Sequence, residues 1–345
     1  MSLPWRYIAS KLLTAVPLLL GVITLTFVLI ELSPGTIVDK YVTSDTTPEH
    51  REHLVALFGL DEPAWWRFLL IVRNLAVFEF GLSLSKHQPV WDLISEALPN
   101  TLLLSGATLL VMYPTGILTG VAQALRHNRT TDTSLSVASL TVYSMPTFWL
   151  ALMLQLFVAT LWAGWVSQAA AGGWLGDEAA FWLDLPISGK CDPIYCDDFL
   201  PWEYALDVAR HLLLPGLAMG LASAAGTARY MRSSLLEVLH TDYVRTARAK
   251  GLRPLAVVGR HALRNALLPI VTLLGLSVPF LFSGSVIVEI VFGWPGMGRL
   301  IVDAIFAQDV PLVIGCFYVF TLFVVAGNLL ADIGYGLLDP RVRLT

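Results

Sequence analysis

Six apolar runs of about twenty residues recur along this chain, each near the length that crosses the hydrocarbon core of a bilayer. Lipid offers no partner to a bare N–H or C=O, so such runs are expected to be helices. The predicted spans are residues 9–30, 101–124, 135–161, 211–228, 267–292 and 310–333. Composition agrees, because only 14% of the 345 residues are charged, against about 25% in soluble domains. The fold class expected is therefore an all-α integral membrane protein with six transmembrane helices. The first run is too long for a signal-peptide core and lacks a small-residue cleavage pattern after it, so no cleavable signal is expected.

The net charge of −4 matters less than where the signs fall. Segments assigned to one side hold 14 of the 22 lysines and arginines, and the positive-inside bias makes that side cytoplasmic, with both termini. The regions assigned outside, 31–98 and about 162–208, are acidic. The second holds Trp162, Trp165, Trp174, Trp182 and Trp202, a density expected of a folded piece at the membrane surface rather than a linker. Cys191 and Cys196 lie there as CDPIYC, and a small disulfide loop or two free thiols are the alternatives. Cys316, inside the last span, reads as a small core residue.

No catalytic constellation is present. There is no G-x-x-x-x-G-K-[ST] phosphate loop, so the chain is not expected to hydrolyse ATP itself. Glu49-His50-Arg51-Glu52-His53 fits neither zinc-protease spacing, and no metal or cofactor site is expected. Glu289 and Asp332 are carboxylates near span ends, read as structural or interfacial. Ser277, Ser283, Ser285 and Asn328 could line a polar path or simply bond helix to helix. A self-sufficient secondary transporter would want ionisable groups at mid-span, and these are lacking.

Between the fourth and fifth spans, about 229–266, the chain turns strongly basic. Its heart, DYVRTARAKGLRPLAVVGRHALRNALLP, carries Arg245, Arg248, Lys250, Arg253, Arg260 and Arg264. Ala247 and Gly251 are four apart, which on a helix makes one small-residue patch open to close approach. Pro254 is expected to end that helix.

This stretch resembles the cytoplasmic loop of ABC importer permeases, written EAA---G---------I-LP. Arg245-Thr246-Ala247 fills the first slot, Gly251 the glycine, and Leu268-Pro269 the closing pair. The missing acid and the longer gap resemble the dipeptide/oligopeptide/nickel branch. Gly81-x-Ser83, Pro89-Val90, Leu98 to Leu102, the run from Glu289 to Leu300 and Asp339-Pro340-Arg341 look like the same branch. Only the region 162–208 falls outside the likeness. The resemblance implies a type I importer permease fold, with 1–98 as a first helix plus outer region and 99–345 as the transmembrane domain. It further implies a second homologous permease, one or two cytoplasmic ATPase subunits carrying ATP and Mg, and an extracytoplasmic solute-binding protein. Peptides are the leading substrate class, with nickel complexes or glutathione behind. Tyr243, Arg245, Ala247, Arg248, Gly251, Leu268 and Pro269 would form the ATPase-coupling loop, and membrane lipid, not nucleic acid, is the remaining partner.

Overall fold

A computed structural model describes residues 5–32, 38, 47–57, 61–277 and 286–338, and among them the ordered elements are helices. Two compact units emerge, one of residues 1–99 with 296–345, the other of residues 100–295. The first holds α1 (Trp5–Glu31), α2 (Pro48–Leu57), α3 (Ala64–Ala76) and the start of α4 (Val90–Leu125). The second holds the rest of α4, then α5 (Thr130–Ser144), α6 (Thr147–Phe157), α7 (Ala163–Ala171), α8 (Asp177–Leu183) and α9 (Pro201–Leu239). It continues with α10 (Asp242–Ala249), α11 (Pro254–Ala256), α12 (Leu263–Ala266), α13 (Leu268–Ser277) and α14 (Val286–Val291). The first unit is completed by α15 (Met297–Phe306) and α16 (Val310–Leu338).

Five helical stretches among the described residues are long and apolar enough to cross a membrane: Leu13–Glu31, Val90–Leu125, Thr147–Ala171, Pro201–Leu239 and Val310–Ala331. The fifth expected span, 267–292, is represented by the ten-residue α13 and by α14, and its middle lies outside the described residues. The third span is shifted from expectation. Met145 is extended (ψ 132°) ahead of Pro146, so α5 stops at Ser144 and the apolar helix restarts at Thr147. The cause is local: proline pushes the residue before it out of the helical region. A π-helical turn, Val158–Trp162, then carries α6 into α7 without a break. The fourth span is longer than its apolar stretch, since α9 runs 39 residues through Pro215. Thr101, where the second span was expected to start, instead lies inside α4.

In the first unit, Ile23 of α1 shares a buried core with Val90 and Ile94 of α4, Leu300 of α15 and Leu312, Val313 and Cys316 of α16. Cys316 is the small core residue that its position suggested. The Gly81-x-Ser83 motif has a structural reason. Asp309 opens α16, and its Oδ2 accepts hydrogen bonds from the Ser83 hydroxyl (2.6 Å), the Ser85 amide (2.9 Å) and the Ser85 hydroxyl (2.7 Å). Burial pushes this carboxyl up, but those donors outweigh it and hold it below the usual range.

The second unit is organised on the parallel pair α4 and α9, which meet glycine to side chain at both ends. A Cβ on Gly116 would stand 2.6 Å from the Thr227 Cβ, and one on Gly120 would stand 2.5 Å from the Ala228 carbonyl oxygen. Reciprocally, a Cβ on Gly220 would stand 2.5 Å from the Val111 Cβ, and one on Gly216 3.2 Å from Ala107. Helices in lipid have little hydrophobic force to join them, so this close backbone approach supplies the contact.

The 162–208 region is folded. Trp162 Nε1 donates to the Leu183 carbonyl (2.8 Å), Gln155 Nε2 to the Ile187 carbonyl (2.7 Å), and the Gly189 amide to the Phe292 carbonyl (2.8 Å). Cys191 and Cys196 stand as a bridged pair with Cα atoms 5.8 Å apart. Beside them the Asp192 amide donates to Asp207 Oδ2 (2.7 Å), and Asp207, fully buried, is ion-paired with Arg210 (2.7 Å) at the start of α9.

Candidate coupling surface

At its far end α9 stops at Leu239, and Thr241, in extended conformation, leads into α10. Val244 and Ala247, three apart, are the buried residues of α10. They pack with Met231 and Leu235 of α9, Val257, Ala262, Ala266 and Ile270. Tyr243 accepts a hydrogen bond on its hydroxyl from Asn265 Nδ2 (2.7 Å), and the Ser234 hydroxyl donates to the Ala266 carbonyl (2.9 Å). The short helix is thus fastened along one side to its own chain.

Two expectations for this loop need correction. The helix ends at Ala249 rather than beside Pro254, because Gly251 takes φ +78° and its amide turns back to the Arg248 carbonyl (2.9 Å). This is a left-handed helix stop, which a glycine adopts without steric cost. Ala247 and Gly251 accordingly form no common patch: Ala247 faces the core, whereas Gly251 lies beyond the helix with open space where a Cβ would project. What the surface does present is Tyr243, Arg245, Arg248, Lys250, Leu252, Arg253 and Leu255, all exposed. Leu255 is 83% exposed, an apolar side chain two residues after Arg253 in the sequence. Leu268 and Pro269 are exposed as well, while Ile270 next to them is buried. A π turn, Val257–Ala262, lies between the two halves of the loop and takes up one more residue per turn than an α-helix.

A second fastening was not read from the sequence. Arg232 of α9 grips Asp132 of α5 with both prongs, Nε to Oδ1 at 3.0 Å and Nη2 to Oδ2 at 2.9 Å. The Asn128 amide adds a bond to Oδ2 (3.1 Å), and His127 Nδ1 stands 3.4 Å from it. The Arg232 hydrogen bonds are the main reason that the Asp132 carboxyl is held at about 2, below the usual carboxylate range. A depressed carboxyl contributes stability above its unfolded pKa, and that contribution fades as pH falls toward the folded value. Asp132→Asn is therefore expected to cost about 2 kcal/mol at neutral pH, the scale of hydrogen bonds to a charged group. The gap to the parent protein should close between about pH 4 and pH 2. Thermal unfolding of both proteins in detergent across that range checks it; a gap that persists at pH 2 would mean that the carboxylate charge is not what α5 and α9 share.

The polar candidates along the spans divide. Ser277 donates to the Leu273 carbonyl (2.9 Å), so the Tyr113 hydroxyl is left as donor to Ser277 (2.7 Å). That is helix-to-helix bonding. Asn328 is exposed on α16, and Ser283 and Ser285 lie outside the described residues. Glu289 is fully buried on α14 and accepts from the Thr101 hydroxyl (2.9 Å). The Asp332 side chain lies outside the described residues, and so do residues 339–341. Among the described residues no group of three His, Cys, Asp or Glu stands close enough to hold a metal.

Comparison with known proteins gives a consistent result. Residues 113–344 match the family described as binding-protein-dependent transport system inner membrane component. The chain is 39% identical to the di/tripeptide transport system permease protein DppB of Pseudomonas aeruginosa, with 98% of each chain covered. It is 35% identical to the oligopeptide transport system permease protein AppB of Bacillus subtilis, covering 98% of this chain and 99% of that one. The dipeptide transport system permease protein DppB of Escherichia coli K12 is 33% identical, with 98% of each covered.

Proposed function

This chain belongs to the family of binding-protein-dependent transport system inner membrane components, and on that premise we propose that it forms half of the path by which an ATP-driven importer takes up short peptides. As a family member it is a multi-pass inner-membrane permease and a non-catalytic subunit. Peptides as cargo are supported by the relatives at 33–39% identity, which are named for di-, tri- and oligopeptide transport. The other half of the path is a second permease of the same design. A solute-binding protein delivers peptide from outside, and one or two ATPase subunits carry ATP and Mg inside. The region from about 99 onward serves as the transport domain, which the family match over 113–344 supports.

The observation that carries the mechanism is the loop of α10, anchored by Val244 and Ala247 and exposing Tyr243, Arg245, Arg248 and Leu255. An exposed apolar side chain on a basic loop suits a partner groove with an acidic rim. We read this loop as seated on the ATPase, with Gly251 fixing where it turns back toward Leu268 and Pro269. ATP-driven closure of the ATPases then moves α10, and α9 with it. Such coupling requires a two-state element that the partner biases.

The direct test is uptake of a labelled dipeptide by proteoliposomes holding this chain, its partner permease, the ATPases and the binding protein. Uptake should require all four and ATP; uptake by this chain alone would mean a secondary transporter. Orientation, with both termini and residues 229–266 cytoplasmic, is tested on intact cells. A membrane-impermeant thiol reagent should label Cys191 and Cys196 only after reduction. Labelling before reduction would remove the bridge, and none after it would reverse the topology.

A further inference from the structure

The helix break between α5 and α6 lies deep in the membrane. Asp132 of α5 is level with Arg232, at the inner end of α9, and Ala151 of α6 shares a core with Leu214 and Ala218 of α9. Met145 falls between those two levels, thirteen residues or about 20 Å from Asp132 at 1.5 Å per residue, in a hydrocarbon core about 30 Å thick. The first amides of α6, on Thr147, Phe148 and Trp149, have no helical acceptor there. Irregular backbone at such depth is tolerated where protein buries it or where it lines water. This chain does not bury it, since Ser144, Pro146, Phe148 and Trp149 are exposed. The rings of Phe148 and Trp149 would also hold a neighbouring helix too far off to bond that backbone, because close approach needs small residues. Water fits the gap that they keep open.

An unpaired charge stands beside this break. The guanidinium of Arg229 on α9 lies 5.9 Å from the ring centre of Tyr143, the residue two before Met145. Both side chains are exposed, Tyr143 by 56%, and Arg229 makes no hydrogen bond or ion pair among the described residues. The direction of Arg229 separates it from an ordinary interfacial cation. Tyr143 is eleven residues, about 16 Å, from the level of Asp132, whereas Arg229 is three residues, about 4.5 Å, from Arg232. Arg229 can meet that ring only by turning toward the bilayer centre, away from the inner headgroups to which a long cation at a helix end ordinarily reaches. A guanidinium keeps its charge at any depth, and a carboxylate is the anion that it grips with two parallel N–H bonds. A short peptide with a free end carries one such carboxylate. We propose that Arg229 lines the translocation path and takes the terminal carboxylate of a peptide in transit, with Tyr143 as the ring that keeps the guanidinium turned inward. The choice of peptide rests on the function proposed above.

The experiment uses the complete transporter in liposomes, with partner permease, ATPases and binding protein, and reads ATP-driven uptake of labelled Ala-Ala and of its C-terminal amide, each at a concentration that saturates the binding protein. Uptake of Ala-Ala should fall at least tenfold in Arg229→Gln, with the complex assembled as in the parent, and less in Arg229→Lys, which keeps the charge. The preference for Ala-Ala over the amide should also shrink at least tenfold in Arg229→Gln. The binding protein is the same in both measurements, so its own preference cancels and the remainder belongs to the permease. Independently, Arg229→Cys should react with sulfonatoethyl methanethiosulfonate, an anionic water-soluble reagent, read by mass on this chain, in which Cys191 and Cys196 are bridged and Cys316 is buried. Unchanged uptake or an unchanged preference in Arg229→Gln overturns the proposal, and so does an unreactive Arg229→Cys, which would place the side chain against lipid. Loss of the partner permease from Arg229→Gln would assign the guanidinium to an acid of that subunit and overturn it too. Dipeptide uptake by the parent with no change in the variants removes this site alone, whereas a parent that imports no dipeptide removes the peptide reading with it.

Discussion

Gly120→Leu is expected to leave little folded permease in the membrane. The new Cβ would stand 2.5 Å from the Ala228 carbonyl oxygen and 2.7 Å from the Met231 Cβ. The first of these is backbone of α9, which has no rotamer to turn aside. Overpacking costs about 1–3 kcal/mol where side chains can yield, and the expected loss sits at or above the top of that range. Gly226→Leu is the control. It lies on α9 too, with nothing within 4 Å of its Cβ position, and should change the thermal midpoint of the detergent-solubilised chain little. Membrane abundance and that midpoint are the readouts. Equal behaviour of the two variants would mean that the α4–α9 approach is looser than described.

The second large effect is expected on coupling rather than folding. Leu255→Asp alters a side chain that is 83% exposed and belongs to no core, so the chain should insert and pair normally. If the loop docks on an ATPase, the variant loses an apolar anchor and carries a charge into the contact. Interface anchors are worth about 2 kcal/mol or more, which is at least about thirtyfold in association. Co-purification of the ATPase and peptide-stimulated ATP hydrolysis should fall together by that order. Arg248→Ala should be milder, because an exposed ion pair contributes about 0–1 kcal/mol. Intact coupling in Leu255→Asp would show that the apolar tip is not part of the contact.

Much of this molecule can be read from its residues, and what cannot has definable causes. The first, second, fourth and last spans overlap the apolar runs that suggested them, whereas the third is shifted toward the C-terminus, and the basic loop stands out by composition. The boundaries are harder, because proline acts differently by place. Pro146 ends a helix, whereas Pro215 sits inside one. Nothing local distinguishes them. Nor does local sequence say that Asp132 belongs to Arg232, 100 residues away, or Asp309 to Ser83. Such pairs are made by tertiary packing. In the loop, four-residue spacing suggested that Ala247 and Gly251 share a face; the glycine's positive φ ends the helix before that spacing applies. Arg210 offers a partial signal, since a lone arginine at the edge of an apolar run must find a partner, but its aromatic neighbours Phe181 and Trp182 come from another helix.

The braces on α9 carry a mechanical consequence. Arg210 and Arg232 are 22 residues apart on one helix, about 33 Å at 1.5 Å per residue, which is roughly the thickness of the hydrocarbon core. Each ties α9 to another helix, Arg210 to the Phe181 carbonyl of α8 and Arg232 to Asp132 of α5. A rod clamped at both faces of the membrane cannot slide by a helical turn without tearing a clamp, so ratcheting is closed to it. It can still pivot together with its neighbours. It can also flex at Pro215, whose missing N–H leaves the His211 carbonyl without its helical donor, just inboard of the outer clamp. Movement passed up from α10 should therefore emerge as tilt and bend of a lever with that hinge near its far end, and its stroke is set by the angle through which the hinge can open.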